Sequence, residues 1–300
     1  MAGTVKPAAT VALRRQQQGY LVSSLKRLLQ TPQGIIGLAI VLSLILLAVA
    51  AGGVAPYDPY AQDYGAVLKA PSIAHWMGTD NMGRDLLSRV IYGSRISLQV
   101  GLVSVGLAAI AGVLMGLAAG YWAGAVDEVL MRLMDALYSF PAVLLALAIT
   151  AALGPGIGNI IVAIAIVYTP PFARLTRAQV LSVREMEFVT AARSIGVQPW
   201  RIIGLHIWPN TVAPIIVQVS LSVSLAMIVE ASLSFLGLGA QPPTATWGEM
   251  LRTGYRFLER APWMSFFPGA AIFVTVLGLN FLGDGLRMAL DPRLMQRRQG

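Results

Sequence analysis

The chain has 300 residues, 56% of them hydrophobic and only 12% charged, and its mean hydropathy is +0.68; these values describe an integral membrane protein and exclude a soluble domain of this length. It has no cysteine, which rules out a disulfide framework and thiolate metal sites, and its two histidines, His75 and His206, lie too far apart in sequence to suggest a metal cluster. A net charge of +8 would suit a nucleic-acid partner, but the placement of the basic residues points to membrane topology instead.

In chain order, residues 1–33 form a polar leader carrying Lys6, Arg14, Arg15, Lys26 and Arg27. The uncharged run 34–56 exceeds the about 20 residues that cross a bilayer. Its Ala48-Val49-Ala50 resembles a signal-peptidase site, yet the run is longer than the roughly 7 to 15 apolar residues of a signal peptide, so a retained signal-anchor helix is expected. Residues 57–95 read as an extracytoplasmic loop that closes with a turn cluster and an amphipathic helix. A second span is expected over 96–122, where Gly112, Gly116, Gly120 and Gly124 recur every four residues and form a small face for close helix packing. The third runs from Asp127, whose side chain suits a helix cap, to Leu153, with a kink at Pro141; Arg132 and Asp135 stand three apart and are expected to pair. A fourth, roughly 159–172, is interrupted by Pro170 and Pro171 and continues with Arg174, Arg177 and Arg184.

The polar loop 182–210 follows. In it Phe188, Ala191, Ala192 and Ile195 fall at i, i+3, i+4 and i+7, the spacing of one helical face, with Glu187 just ahead of them. Gly196 ends that helix, Pro199 opens a second one reaching about Ile207, and Pro209 and Pro214 mark re-entry into apolar sequence, Pro209 biasing the residue before it away from helix. Such a loop is either an amphipathic surface segment or a helical knob for a groove on a soluble partner. The fifth span, 211–233, contains Glu230; an ionisable side chain at membrane depth is a functional candidate by default, as part of a transport path or as a structural partner near the interface. A loop over 238–262, a sixth span over 261–283 and a tail over 289–300 complete an all-α protein of about six transmembrane helices, with a five-helix core over 96–288. With the leader on the cytoplasmic side, 15 of the 22 Lys and Arg residues fall on that side, which predicts cytoplasmic termini and a cytoplasmic 182–210 loop.

Three stretches carry a resemblance. The run Ala191 to Gly196, followed after nine residues by His206 to Pro209, is similar to the coupling loop of permease subunits of ATP-binding-cassette (ABC) importers. The family pattern is Glu-Ala-Ala, three residues, Gly, nine residues, then Ile-x-Leu-Pro; Thr190, His206 and Trp208 depart from it here, while the alanines, the glycine and Pro209 match. The segment Gly78-Thr79-Asp80, with Gly83-Arg84-Asp85, resembles the hallmark of dipeptide and oligopeptide permeases at every specified position. The ending with Gly283, Asp284, Gly285 and Arg287 resembles the C-terminus of the same class, departing at Met288, where an aspartate is usual.

The resemblance implies a type I importer permease fold in a bacterial inner membrane, as the C-type subunit. It implies four partners: a homologous second permease, two ATP-binding subunits that hold ATP and magnesium, and an extracytoplasmic substrate-binding protein. No catalytic residue, metal or cofactor belongs to the chain itself. Glu187, Phe188, Ala191, Ala192, Ile195, Gly196 and Pro209 would engage the ATPase, and the Gly78–Asp85 signature would face the binding protein. The implied cargo is a dipeptide or short peptide, with glutathione, longer oligopeptides or nickel complexes as alternatives. A phosphate-cradling loop needs Gly-Lys-Ser/Thr, and none of Lys6, Lys26 and Lys69 has that context, so ATP hydrolysis is expected in the partners. Two rivals are weaker. An intramembrane aspartyl protease needs a Gly-x-Gly-Asp motif, and Phe281 stands where its first glycine would be. An ion-coupled secondary transporter built around Glu230 would be expected to show an internal repeat, which is not evident here.

Overall fold

The computed structural model describes residues 26–290. Nine helices of eight residues or more organise them: α1 (Pro32–Val49), α2 (Leu86–Trp122), α3 (Gly124–Tyr138), α4 (Ala142–Leu153), α5 (Ile157–Arg184), α6 (Glu187–Ser194), α7 (Trp208–Phe235), α8 (Trp247–Tyr255) and α9 (Trp263–Leu290), with four-residue helices at Ala51–Val54 and Pro199–Ile202. Five of the helical stretches are long and apolar enough to cross a membrane, and α3 with α4, joined at a 91° bend, would make a sixth.

Several elements differ from the sequence-based expectation for physical reasons. The second span does not begin at Ile96: α2 is one helix of 37 residues starting at Leu86, and the Arg89 side chain in its first turn is buried in an ion network rather than solvated. The third span is not kinked but broken at Ser139–Pro141, and it begins at Gly124, so Asp127 sits inside the first turn instead of capping it. The fourth is uninterrupted: α5 passes through Pro170 and Pro171, and the Thr169 hydroxyl donates to the Ala165 carbonyl just below them at 2.8 Å. Pro209 does not break the chain either, since Trp208 keeps helical angles (φ −50°, ψ −50°) and a π turn over Ile203–Ile207 absorbs the change of register.

Packing sets the direction of each helix. A Cβ on Gly112, Gly116 or Gly120 would lie 2.5–2.6 Å from Phe172 and Thr169, from Ala173, or 2.7 Å from Val180, so the expected small face brings α2 against α5. Both residue numbers rise together along this contact, so the two helices run parallel. Gly124, the fourth glycine of the series, instead takes φ +57° in the turn to α3 and touches nothing. Helix α7 runs antiparallel to α2, with Met227 against Gly101 and Glu230 beside Ser97. Helix α1 lies antiparallel on α9, where Gly37 meets the Leu282 backbone and Gly285 meets Gly34. The C-terminal end of α2, residues 187–207 and both ends of the described chain therefore share one end of the bundle. The loop before α2, the α4–α5 turn and α8 share the other.

Candidate functional site

At the first end, α6 is eight residues long, with Glu187 in its first turn and Arg193 in its last, each sign matched to the helix dipole. Gly196 closes it at φ +74°: its N–H donates to Arg193 O at 3.0 Å and the Val197 N–H donates to Ala192 O at 3.1 Å, a Schellman closure. Val189 and Ala192 turn inward with Val180, Val183, Ile202 and Ile207 to form a small core of the loop's own. The expected four-residue face is thereby split. Ala192 lies at its edge and is buried, whereas Phe188, Ala191 and Ile195 are exposed, Ile195 to 80%. Trp200 and Leu205, which sequence periodicity did not single out, are further exposed apolar side chains of the same loop; Trp200 is 72% exposed. Pro209, early in α7 just after the π turn that accommodates it, is exposed.

The loop is pinned to the bundle. The Trp200 ring meets Trp122 edge-on at 5.2 Å, Arg193 lies over Tyr121 at 5.2 Å, and Arg184 Nη1 donates to Gly120 O at 2.9 Å, all at the end of α2. Beside it, α3 is clamped to α5. Arg177 donates through Nε and Nη2 to both oxygens of Asp127 at 2.5 and 2.6 Å, and Arg174 donates to Asp135 at 2.6 Å while stacking on Tyr138. The expected Arg132–Asp135 pair does not form: Arg132 pairs instead with Glu128, four residues back, at 3.5 Å, because Asp135 is taken by α5.

At the opposite end, the Gly78–Asp85 signature folds into a buried knot. The carboxylate of Asp80 accepts from the backbone N–H of Met82 (2.8 Å) and Arg84 (3.0 Å) and from Arg84 Nε (2.6 Å). The carboxylate of Asp85 caps α2 by accepting from the Ser88 N–H at 2.8 Å and also stands 2.9 Å from His75 Nδ1. The hydroxyl of Thr79 donates to Ala66 O and accepts from Lys69 N–H, and its carbonyl accepts from Trp263 Nε1 at 3.2 Å. Gly78 and Gly83 both have positive φ, and a Cβ on Gly83 would overlap the Asp63 carbonyl. Arg89, fully buried, lies 3.5 Å from Asp80 and 3.4 Å from Glu249 of α8, and Trp247 Nε1 donates to Val90 O. The signature thus joins the loop, α2, α8 and α9, and its side chains are turned into the protein. Apolar groups on the surface of the same loop are Ile73, 96% exposed, and Trp76, 73% exposed.

Glu230 is buried between helices, accepting from Ser234 at 2.8 Å and from Ser97 of α2 at 3.4 Å. In the C-terminal signature, Gly283 and Gly285 are packing contacts to α7 and α1, and Asp284 and Arg287 are exposed. The rest of that ending, from Asp291 on, and most of the leader lie outside the described residues. Among the described residues, no group of three His, Cys, Asp or Glu side chains is placed to hold a metal ion.

A helical bundle with five or six candidate crossings, carrying a pinned two-helix loop at one end and a buried polar knot at the other, defines a polytopic membrane protein. Residues 112–296 match the family described as the inner membrane component of binding-protein-dependent transport systems, and residues 19–71 match the N-terminal transmembrane domain of oligopeptide transport permease C. The dipeptide transport system permease protein of Alkalihalophilus pseudofirmus is 46% identical over 269 residues, covering 90% of this chain and 88% of that one. The glutathione transport system permease protein of Pectobacterium atrosepticum is 46% identical over 255 residues, 85% of each chain. The crystal structure of an amino acid ABC transporter with histidines shares the fold, with a TM-score of 0.52 at 17% identity, over 71% of this chain and 94% of that one. The chain belongs to the binding-protein-dependent inner-membrane permease family of ABC importers, in its dipeptide and oligopeptide branch. It is a transport permease and not an enzyme.

Proposed function

We propose that this permease carries dipeptides or short peptides into the bacterial cell as one half of a heterodimeric pore. The observation that carries the cargo is the 46% identity to a dipeptide permease across 90% of the chain. A glutathione permease of equal identity supports a second reading with a tripeptide-like thiol cargo. Both termini and the 187–207 loop face the cytoplasm in this reading, in keeping with their common end of the bundle and with the excess of arginine and lysine there. Phe188, Ala191 and Ile195, with Trp200 and Leu205, fill the groove of an ATP-binding partner. Gly196 supplies the turn, and Val189 and Ala192 hold the knob to its base.

ATP binding closes the two ATPases, draws the paired loops together and opens the pore outward; hydrolysis restores the inward-facing state. The nucleotide and its magnesium reside in those partners. The loop before α2, with Ile73 and Trp76 outermost, and residues 238–262 receive the substrate-binding protein, while the Gly78–Asp85 knot holds that surface in shape. Glu230 acts as a hydrogen-bonded tie between α2 and α7. The test is to purify the tagged chain with its partners in mild detergent, reconstitute the complex in vesicles with its binding protein, and follow labelled dipeptide. ATP-dependent, saturable dipeptide uptake is expected. Uptake of glutathione alone would transfer the cargo to the second reading, and recovery of the chain without ATPases would overturn the importer itself.

A further inference from the structure

Between the end of α1 and the start of α2 lies a half-open cleft of about 370 Å³, lined by Gly52, Ala55, Pro56, Tyr57, Asp58, Pro59, Tyr60 and Tyr92. Its one carboxylate has no cationic partner among the described residues. The carboxylate of Asp58 accepts from the Tyr60 backbone N–H at 2.7 Å, and among the described residues no cation stands within ion-pair distance of it. Arg95 stands beside the cleft and not in its lining: it lies over the Tyr92 ring, 5.0 Å from its centroid, and spends Nε and Nη2 on the carbonyls of Ala48 and Val49 at the end of α1. Its Nη1 has no acceptor, and Arg95 no carboxylate, among the described residues.

The sequence fixes the depth of this cleft. Asp58 is the first ionisable side chain after the uncharged run of α1, Tyr57 excepted, and Arg95 is the last charge before the uncharged run 96–122 of α2. At 1.5 Å per residue that run is about 40 Å long, against about 30 Å for the hydrocarbon core, so Arg95 stands at the boundary where lipid phosphates lie. Asp58 follows the end of α1 further out, and the cleft also holds Tyr57, Tyr60 and Tyr92, a residue type favoured at the membrane interface. A phospholipid with a primary amine has the same order of groups along the membrane normal: acyl chains, phosphate, then ammonium.

We propose that this cleft binds the headgroup of an ethanolamine-type phospholipid, with the phosphate against Arg95 and the Tyr92 hydroxyl and the ammonium against Asp58 and the tyrosine rings. The carboxylate selects an amine that can donate hydrogen bonds over a quaternary choline or a neutral glycerol, and the aromatic faces add cation–π attraction. Occupancy fastens the α1 end to α2 through lipid. The inference rests on the chain spanning a membrane and is independent of the solute it carries.

The test uses the full transporter complex in nanodiscs made with equal parts of phosphatidylethanolamine, phosphatidylcholine and phosphatidylglycerol. After gentle transfer to detergent, native mass spectrometry reads the lipids retained. The expected result is a preference for the ethanolamine lipid of about fivefold, the scale of an exposed ion pair, which Asp58→Asn abolishes. That variant retains the oxygen that accepts from the Tyr60 N–H, so the turn survives. Arg95→Gln is expected to lower retention of all three lipids together. Equal retention by the wild type, or an unchanged preference in Asp58→Asn, overturns the proposal. So does a weakened docking of the soluble binding protein by Asp58→Asn with the lipid profile unaltered, which would give the cleft a protein occupant.

Discussion

Gly83 and Gly196 share a φ of +74°, yet they face opposite constraints. A Cβ on Gly83 would run into the carbonyl of Asp63, a backbone group that cannot swing away, whereas a Cβ on Gly196 would meet nothing within 4 Å. Gly83→Ala therefore adds overlap to conformational strain, and is expected to cost about 2–3 kcal/mol or more and to reduce the amount of folded chain in the membrane. Its melting temperature in detergent checks this; a value equal to the wild type would refute the packing argument. Gly196→Val carries only the strain, about 1–2 kcal/mol, or about a tenfold loss in the population of the native turn. The membrane domain is expected to stay folded while uptake per ATP hydrolysed falls, because the turn that aims α6 is disturbed and the bundle is not. Parallel uptake and ATPase assays on the reconstituted complex decide it, and normal uptake would mean that the turn is not needed for coupling.

The elements carry the transmission of that aim. Two ion pairs and an arginine–tyrosine stack hold α3 to α5, and two aromatic contacts hold the 187–207 loop to the end of α2. The Asp127–Arg177 pair is bidentate and partly shielded, with side chains 18% and 35% exposed, so after screening it is worth about 1 kcal/mol. Asp127→Asn and Arg177→Gln, combined in a double-mutant cycle on detergent melting, are expected to show a coupling of that size; additive effects would remove the clamp from the account. On the outer face of α6, Ile195 touches no partner within the chain's own loop core. Ile195→Asp is expected to leave the melting temperature unchanged and to cut ATPase recovery in co-purification severalfold, as burying an unpaired charge in a groove would. Undiminished recovery would place the docking contact elsewhere.

What was legible in the sequence follows from which interactions are local. Hydropathy located the helices, the glycine spacing located the close-packing face of α2 though not its partner, and Gly196 announced its turn. Contacts between remote residues were not legible. Asp135 prefers Arg174, 39 positions away, to its neighbour Arg132, and Arg89 at the start of α2 reads as the polar face of an amphipathic helix until Asp80 and Glu249 close over it. The matching of Ala192 to an inner core and Trp200 to the exposed surface likewise depends on how the loop folds on itself.

At the scale of the whole molecule, the broken pair α3–α4 decides the topology. Length and composition allow five or six crossings, because two short helices at 91° are either one broken span or a re-entrant hairpin. Helix direction separates these. Successive glycines of α2 meet successively later residues of α5, so the two helices run the same way, and the chain between them must return across the full thickness of the bundle. The Gly156 N–H donates to Leu238 O at 3.0 Å, which puts the α4–α5 turn level with the far end of α7, beyond the membrane face that holds the 187–207 loop. A re-entrant hairpin would leave that turn on the same side as Gly124. Six crossings place the described ends together, on the cytoplasmic side in the orientation proposed above. A reporter inserted at Pro155 is therefore expected to be active only in the periplasm, and reporters inserted at Gly124 or fused after Arg298 only in the cytoplasm. Activity on the same side at Gly124 and Pro155 would make α3–α4 re-entrant, contradicting the parallel α2–α5 contact. Periplasmic activity at Gly124 and after Arg298, with cytoplasmic activity at Pro155, would keep six crossings and invert the molecule, turning the 187–207 loop away from any cytosolic ATPase.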